Sequence, residues 1–274
     1  MRSEEFRRKN PVPFRLSGYE PRLSIERLHS ETEIERLFGH IQESWQHLGE
    51  TDPHWSVLTL DEFRAANIDT SREKFYTTGR NDFLKIIHTL ERNGIDRKRL
   101  HSCLEYGCGL GRITRWLAGE FATVLGFDIS AAHLAATEEY LTQKEVRNVS
   151  LHHVRQFADI QALPQADLIY SVIVLQHNPP PLIEVILAQL LACLKPGGVA
   201  IFQVPTYRHG YSFSLERYIS QMPRPKAMEI HVLPQQAVFE LVASANARVL
   251  EVHEDISLGT MFDGISNTFL VQKI

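Results

Sequence analysis

Three cysteines, Cys103, Cys108 and Cys193, are all the sequence offers for disulfide or thiolate chemistry, and their spacing builds neither a paired framework nor a metal site. Unpaired thiols fit a reducing cytosol, so a cytoplasmic location is expected. No apolar run approaches the ~20 residues of a membrane-spanning helix. The N-terminal stretch is polar and has no signal-peptide core. Charge of one sign is also missing: 29 Lys and Arg against 33 Asp and Glu leave a formal net charge of -4. That balance provides no global attraction to nucleic acid or an anionic membrane, and no DNA partner is expected. The 13 histidines form no ligand pair at metal spacing, since His152 and His153 would face opposite sides of a strand. Internal repeats and low-complexity tracts are absent too. What remains is a globular chain of 274 residues, 43% hydrophobic and 23% charged. That length suits two domains, or one large α/β domain with an appendage, and is ample for a sizeable core.

The first third reads as helical. Residues 1–22 are polar, with Arg2, Arg7, Arg8, Lys9 and Arg15 forming either a solvated leader or an arm for an acidic partner. Ser30 and Glu33 have the spacing of a capping box, and Ile34, Leu37, Phe38, Ile41, Trp45 and Leu48 follow on one helical face. Thr59 and Glu62 repeat the box, which predicts a second short helix. A third is predicted over about 80–93, with Phe83, Ile86, Ile87 and Leu90 inward and Gly94 at its C-terminal cap. The expected division is an arm and helical cap over 1–95 and an α/β domain over 96–274.

Residues 102–130, SCLEYGCGLGRITRWLAGEFATVLGFDIS, organise that second domain. The pattern is a buried strand, a glycine-rich turn, a helix with Ile113, Trp116 and Leu117 at helical spacing, and a second strand ending in Asp128. Strand, glycine turn, helix, strand, acid is the first unit of a doubly wound α/β sheet. Glycine lets the backbone bend sharply and lets a ligand approach it, and an acid at the next strand end can accept from both ribose hydroxyls. The unit therefore predicts an adenosine-type ligand. The dinucleotide fingerprint G-x-G-x-x-G fails in both registers, because its third glycine would fall on Arg112 or Thr114.

The spacing present is E-x-G-x-G-x-G, written Glu105-Tyr106-Gly107-Cys108-Gly109-Leu110-Gly111. With the fuller string LEYGCGLGRIT it is similar to the first motif of class I S-adenosylmethionine-dependent methyltransferases. The resemblance covers roughly residue 100 to the C-terminus. It implies S-adenosyl-L-methionine as cofactor, and a mostly parallel, doubly wound seven-stranded sheet with helices on both faces beside the N-terminal helical cap. Glu105, Gly107, Gly109, Gly111, Asp128, Ile129 and Ser171 are the cofactor contacts it implies. Asp159 and Ile160, in a D-x-x-x-L-P spacing like the family's third motif, would serve the adenine. The stretch from Glu73 to Arg80 resembles the segment that closes over the cofactor, with Arg80 on the methionine carboxylate. The same stretch also reads as an ordinary helix-start loop.

Farther along, DLIYSVIVL over 167–175 is a near-continuous apolar run that predicts a strand buried on both faces. His177 follows at its carboxyl end, where substrates sit in open α/β sheets, and is the candidate proton acceptor. Asn178-Pro179-Pro180-Pro181 differs from the N-P-P-aromatic motif of DNA amino-methyltransferases. It lies beyond the strand end, near Ser171, where that motif belongs, and finishes in proline. The prolines instead start a helix. Lys195-Pro196-Gly197-Gly198 before an apolar strand is a further family hallmark, a helix stop followed by a reversal. Residues 205–234 are a long irregular connection rich in Tyr and Arg, read either as a substrate-side insertion or as a surface or dimer contact. Residues 227–234, AMEIHVLP, are similar to an E-x-x-M-H-V-L-P-type ending in some small-molecule methyltransferases.

The resemblance implies direct methyl transfer to O or N of a small-molecule or glycan acceptor. A protein or RNA methyltransferase and a non-catalytic S-adenosylmethionine-binding module stand as alternatives. The glycine spacing argues against an NAD-type oxidoreductase.

Overall fold

A computed structural model describes residues 21–224, 226–259 and 262–274. Most of the N-terminal arm thus lies outside the described residues. A short strand β1 (Ser24–Ile25) leads into helix α1 (Glu31–Thr51). Ser30 caps α1 with the full capping box: its hydroxyl accepts from Glu33 N, and its own N–H donates to the Glu33 carboxylate at 2.7 Å. Helix α2 (Pro53–Val57) follows, then a 3-10 turn over Asp61–Phe63.

Two expectations need correction here. Thr59 caps nothing; Leu60 stands at the N-cap of the 3-10 turn, with no side-chain bond. The third helix, α3 (Ile68–Arg92), starts 12 residues earlier than its pattern predicts. The stretch from Glu73 to Arg80 is therefore helical and not a loop. Gly79 looks like a break in the sequence, but it sits mid-helix because a Cβ there would lie 1.9 Å from the Arg112 carbonyl oxygen. The glycine allows close approach rather than a turn.

The α/β domain then alternates strand and helix: β2 (Ser102–Tyr106), α4 (Thr114–Glu120), β3 (Thr123–Asp128), α5 (Ala131–Gln143), β4 (Val149–His153), α6 (Phe157–Gln161) and β5 (Ala166–Ser171). It continues with α7 (Pro180–Ala192), β6 (Leu194–Arg208), β7 (Ser212–Phe213), α8 (Leu215–Ser220), α9 (Gln235–Ser244), β8 (Ala247–Asp255) and β9 (Gly264–Lys273). The main sheet has seven strands in the order β4-β3-β2-β5-β6-β9-β8. All pairs are parallel except the two that β9 makes with β6 and β8. The order reverses between β2 and β5, which opens a crevice at their carboxyl ends. Strands β1 and β7 pair separately and tie the chain's start to the 205–234 segment. That segment is only partly irregular, since β6 runs to Arg208 and carries β7 and α8 beyond it.

Both faces of the sheet are covered. Ile34, Leu37, Phe38 and Ile41 of α1 join the α7 leucines and isoleucines on one face. Ile86 and Leu90 of α3 join Ile113, Leu117 and Val124 on the other. Along β5, Ile169 enters the first cluster while Leu168 and Tyr170 enter the second, the period of two expected of a strand buried on both sides. The strand ends at Ser171, four residues before the apolar run does; Ile173 has φ 62° and cannot continue a ladder. No described helix is long and apolar enough to cross a membrane.

Two helical glycines give opposite expectations. Gly79→Ala drives a methyl into the Arg112 backbone and should cost roughly 1–3 kcal/mol. Gly39, with nothing within 4 Å of its Cβ position, should gain about 0.5–1 kcal/mol as Ala. Denaturant melts of the two variants check both signs.

Candidate active site

The glycine turn leaves β2 and folds back onto β3. Gly107 and Cys108 amides both donate to the Phe127 carbonyl, at 2.7 and 3.0 Å. The Gly109 amide donates to Asp128 Oδ2 at 2.8 Å, and its carbonyl accepts from the Thr137 hydroxyl at 2.6 Å. Gly107 and Gly109 have φ of 80° and 55°, the left-handed region that favours glycine. A Cβ on Gly107 would also meet Val174 at 2.2 Å, and one on Gly109 would meet Val57 at 3.2 Å. The turn is thus walled by one side chain from beyond β5 and one from the helical cap.

These residues line a cavity of about 890 Å³, part of it open to solvent. Glu105, Gly107, Gly109, Asp128, Ile129 and His177 all lie on its wall, so six of the sequence-predicted residues converge. Asp128 sits at the end of β3, with Oδ1 accepting from Ser130 N at 2.8 Å. With each oxygen taking one amide, about half of its acceptor capacity stays available. Glu105 is 3% exposed, and its Oε2 accepts from the Thr114 hydroxyl at 2.6 Å. Burial pushes its pKa up to about 8, against the Thr114 bond and the Arg112 charge.

The other predicted residues are not brought to the cavity wall. Arg80 is exposed on α3. Asp159 caps its own helix, its Oδ2 accepting from Arg155 N at 2.8 Å and Gln156 N at 3.3 Å. Ile160 is buried in the same core cluster as Leu163 and Leu190. The Ser171 hydroxyl donates to the Tyr106 carbonyl at 3.0 Å and secures β5 to β2. Gly111 backs onto Thr137.

Arg112, and not Arg80, lies on the cavity wall. It is 5% exposed, lines the cavity, and donates from Nη1 to Thr78 Oγ1 at 3.1 Å and Asp82 Oδ2 at 2.5 Å. Its Nε is buried with no partner among the described residues. Helix α3 holds Arg112 through Thr78 and Asp82, two residues to either side of Arg80. The signal was available, since Arg112 directly follows the last glycine of the motif.

His177 lies in a 3-10 turn over Leu175–His177 and is 3% exposed. Its Nδ1 faces the Glu229 carbonyl at 2.8 Å, and the Trp45 ring meets it edge-on with centroids 4.9 Å apart. Burial pushes its pKa down to about 4, against the pull of that carbonyl, so the ring is neutral at physiological pH. Ile173, also on the cavity wall, keeps its left-handed φ because its amide donates to Gln203 Oε1 at 3.0 Å, and Gln203 Nε2 donates to Ser266 at 2.7 Å. Such a conformation costs about 1–3 kcal/mol and persists where surroundings over-determine it, as at functional sites. Among the described residues no group of three or more His, Cys, Asp or Glu could hold a metal ion.

Known proteins match this chain and its fold. A family model described as a methyltransferase domain matches residues 78–252. The trans-aconitate 2-methyltransferase of Variovorax paradoxus is 32% identical over 155 residues, which is 53% of this chain and 57% of that protein. A ubiquinone biosynthesis O-methyltransferase of Acinetobacter baumannii is 34% identical over 101 residues, 36% of this chain and 41% of that protein. The chain thus matches about half the length of its first curated relatives. Among solved structures, the magnesium protoporphyrin IX methyltransferase from Synechocystis PCC 6803 with bound SAH superposes with a TM-score of 0.60 at 13% identity, over 87% of this chain and 100% of that one. The N-methyltransferase NodS from Bradyrhizobium japonicum WM9 gives 0.55 at 16% identity, over 85% of this chain and 98% of that one. The chain belongs to the methyltransferase domain family, and its sheet is that of the class I S-adenosylmethionine-dependent methyltransferases.

Proposed function

We propose that the protein uses S-adenosyl-L-methionine to methylate O or N of a small-molecule or glycan acceptor. One observation carries this reading: the glycine turn, Asp128, Glu105 and Arg112 converge on a single cavity at the switch point of the sheet. Each group answers a part of that cofactor. The half-occupied carboxylate of Asp128 suits the ribose hydroxyls, and the glycine turn admits close backbone approach. The unpartnered Nε of Arg112 suits the methionine carboxylate, and Glu105 suits its ammonium. An arriving cation would favour ionised Glu105 and cancel the cost of burying that charge. The division into a cap over 1–95 and a cofactor domain over 96–274 belongs to the same reading; the seven-stranded sheet, which falls wholly after residue 95, supports it. So does a cytoplasmic setting, which suits three buried, unpaired thiols.

When bound, the cofactor supplies a methyl group already activated by positive sulfur. The chain's work is then alignment, exclusion of water and, for a protic acceptor, removal of a proton. Ile41, Trp45 and Val57 from the cap form an apolar part of the cavity wall. His177 is neutral and its Nδ1 faces a carbonyl, so Nε2 is the atom that would take the proton.

Gly109→Val and Asp128→Ala are each expected to abolish S-adenosylmethionine binding by calorimetry while circular dichroism remains that of a folded chain. Arg112→Met should weaken binding about ten- to a hundredfold. A labelled-methyl screen across sugars, lipids, small aromatics and RNA tests the acceptor class; transfer to RNA alone would refute it. The nucleoside that copurifies with the protein tests the cofactor independently. Glu105 makes a pH prediction. Its carboxyl titrates near 4.5 in the unfolded chain and at about 8 when folded, so the folded state keeps a proton that the unfolded chain has released. Stability of the cofactor-free protein therefore falls as pH rises through that window. Glu105→Gln should flatten the dependence in thermal melts and weaken cofactor binding.

A further inference from the structure

His177 is held from behind by residues 226–234, a stretch without regular structure between α8 and α9. Two hydrogen bonds staple that stretch to the 3-10 turn. His177 Nδ1 meets the Glu229 carbonyl at 2.8 Å, and His231 N–H donates to the Gln176 carbonyl at 2.8 Å. The far end of the stretch is fixed by the Leu233 N–H donating to the Pro205 carbonyl at 3.0 Å, and at the Glu229 end side chains gather on one carboxylate. Glu229 Oε2 accepts from the Tyr218 hydroxyl at 2.9 Å and faces His231 Nε2 at 2.8 Å. Its Oε1 lies 3.4 Å from His40 Nε2 on α1 and 3.4 Å from Arg224 Nε. Tyr211 closes the far side of the His231 ring, its hydroxyl 2.8 Å from Nδ1. Against the upward push of burial, His231, Tyr218 and Arg224 hold the Glu229 carboxyl at about 2. The anchor is thus ionised at any working pH, and charge-assisted bonds of this kind are short and directional.

We propose that Glu229 is a positioning residue for His177: its carboxylate fixes the backbone of the 229–231 segment, and that backbone fixes the orientation and tautomer of the His177 ring. The proposal rests on the reading of His177 as proton acceptor. A backbone carbonyl only accepts, so Nδ1 carries the hydrogen and Nε2 of the neutral ring keeps its lone pair. Gln176 Nε2 lies 3.1 Å from that lone pair, which assigns the amide nitrogen to this side, and Gln176 Oε1 is buried without a partner among the described residues. The same anchor couples the cap to the base, since α1 supplies both His40 to Glu229 and Trp45 to the His177 ring.

Nitrogen-15 histidine NMR on the full chain tests this without an acceptor, with the His177 signals assigned by their loss in His177→Asn. The wild-type ring should show the Nδ1–H tautomer and titrate near pH 4. Glu229→Ala should average the two tautomers and raise the titration by about one pH unit or more as water reaches the ring. Glu229→Gln, which keeps the side chain's shape, should move both in the same direction by less. S-adenosylmethionine affinity should stay within about twofold in both, because Glu229 does not line the cavity. An unmoved tautomer and titration in both folded variants overturns the proposal. The base reading fails by a different result, full methyl transfer by His177→Asn.

Discussion

The hydrogen bond from the Gly109 amide to Asp128, 2.8 Å long and buried, is the constraint on which the site depends. It joins the turn that leaves β2 to the acid that ends β3. A buried carboxylate needs donors, and a turn in the left-handed region needs something to hold its amides in place. Each need meets the other. The second Asp128 oxygen is held by Ser130, which caps α5, so one side chain sets the turn, the strand end and the next helix start. Asp128 lies on the cavity wall with acceptor capacity left over from these two bonds.

The helical cap is a structural part of that site. Leu110, inside the glycine turn, packs with Phe63, Ile68 and Phe75 of the cap in a cluster of their own. Helix α3 touches the Arg112 backbone at Gly79 and bonds its side chain through Thr78 and Asp82. Helix α1 supplies Trp45 to the His177 ring. The wall between glycine turn and His177 is therefore built in part by residues far upstream of either. The strained backbone at Ile173 belongs to the same economy: it turns the chain out of β5 so that Val174 and His177 face the cavity.

Local chemistry was legible wherever one segment decided its own structure. The Ser30–Glu33 box, the proline start of α7 and the glycine turn each involve neighbours in the chain and were read correctly. The helix through Gly79 was not legible, because a glycine required by a distant carbonyl looks, in sequence, like one required by a turn. Asp159 has motif spacing, yet it caps the start of its own helix and does not lie on the cavity wall. Arg80 and Arg112 are indistinguishable as residue types. The helix periodicity that turns one outward exists only once the true start of α3 is known.

Strand and helix order, the bend at 107–111 and the acid at 128 followed from the sequence alone, because patterning and backbone permission act over a few residues. Which arginine meets the cavity, which acid lines it and what restrains His177 were decided only in the folded chain. Those outcomes depend on contacts between segments tens to nearly two hundred residues apart, such as Arg112 with Asp82 and His40 with Glu229. Spacing along the chain carries no record of such contacts until the core has brought the segments together.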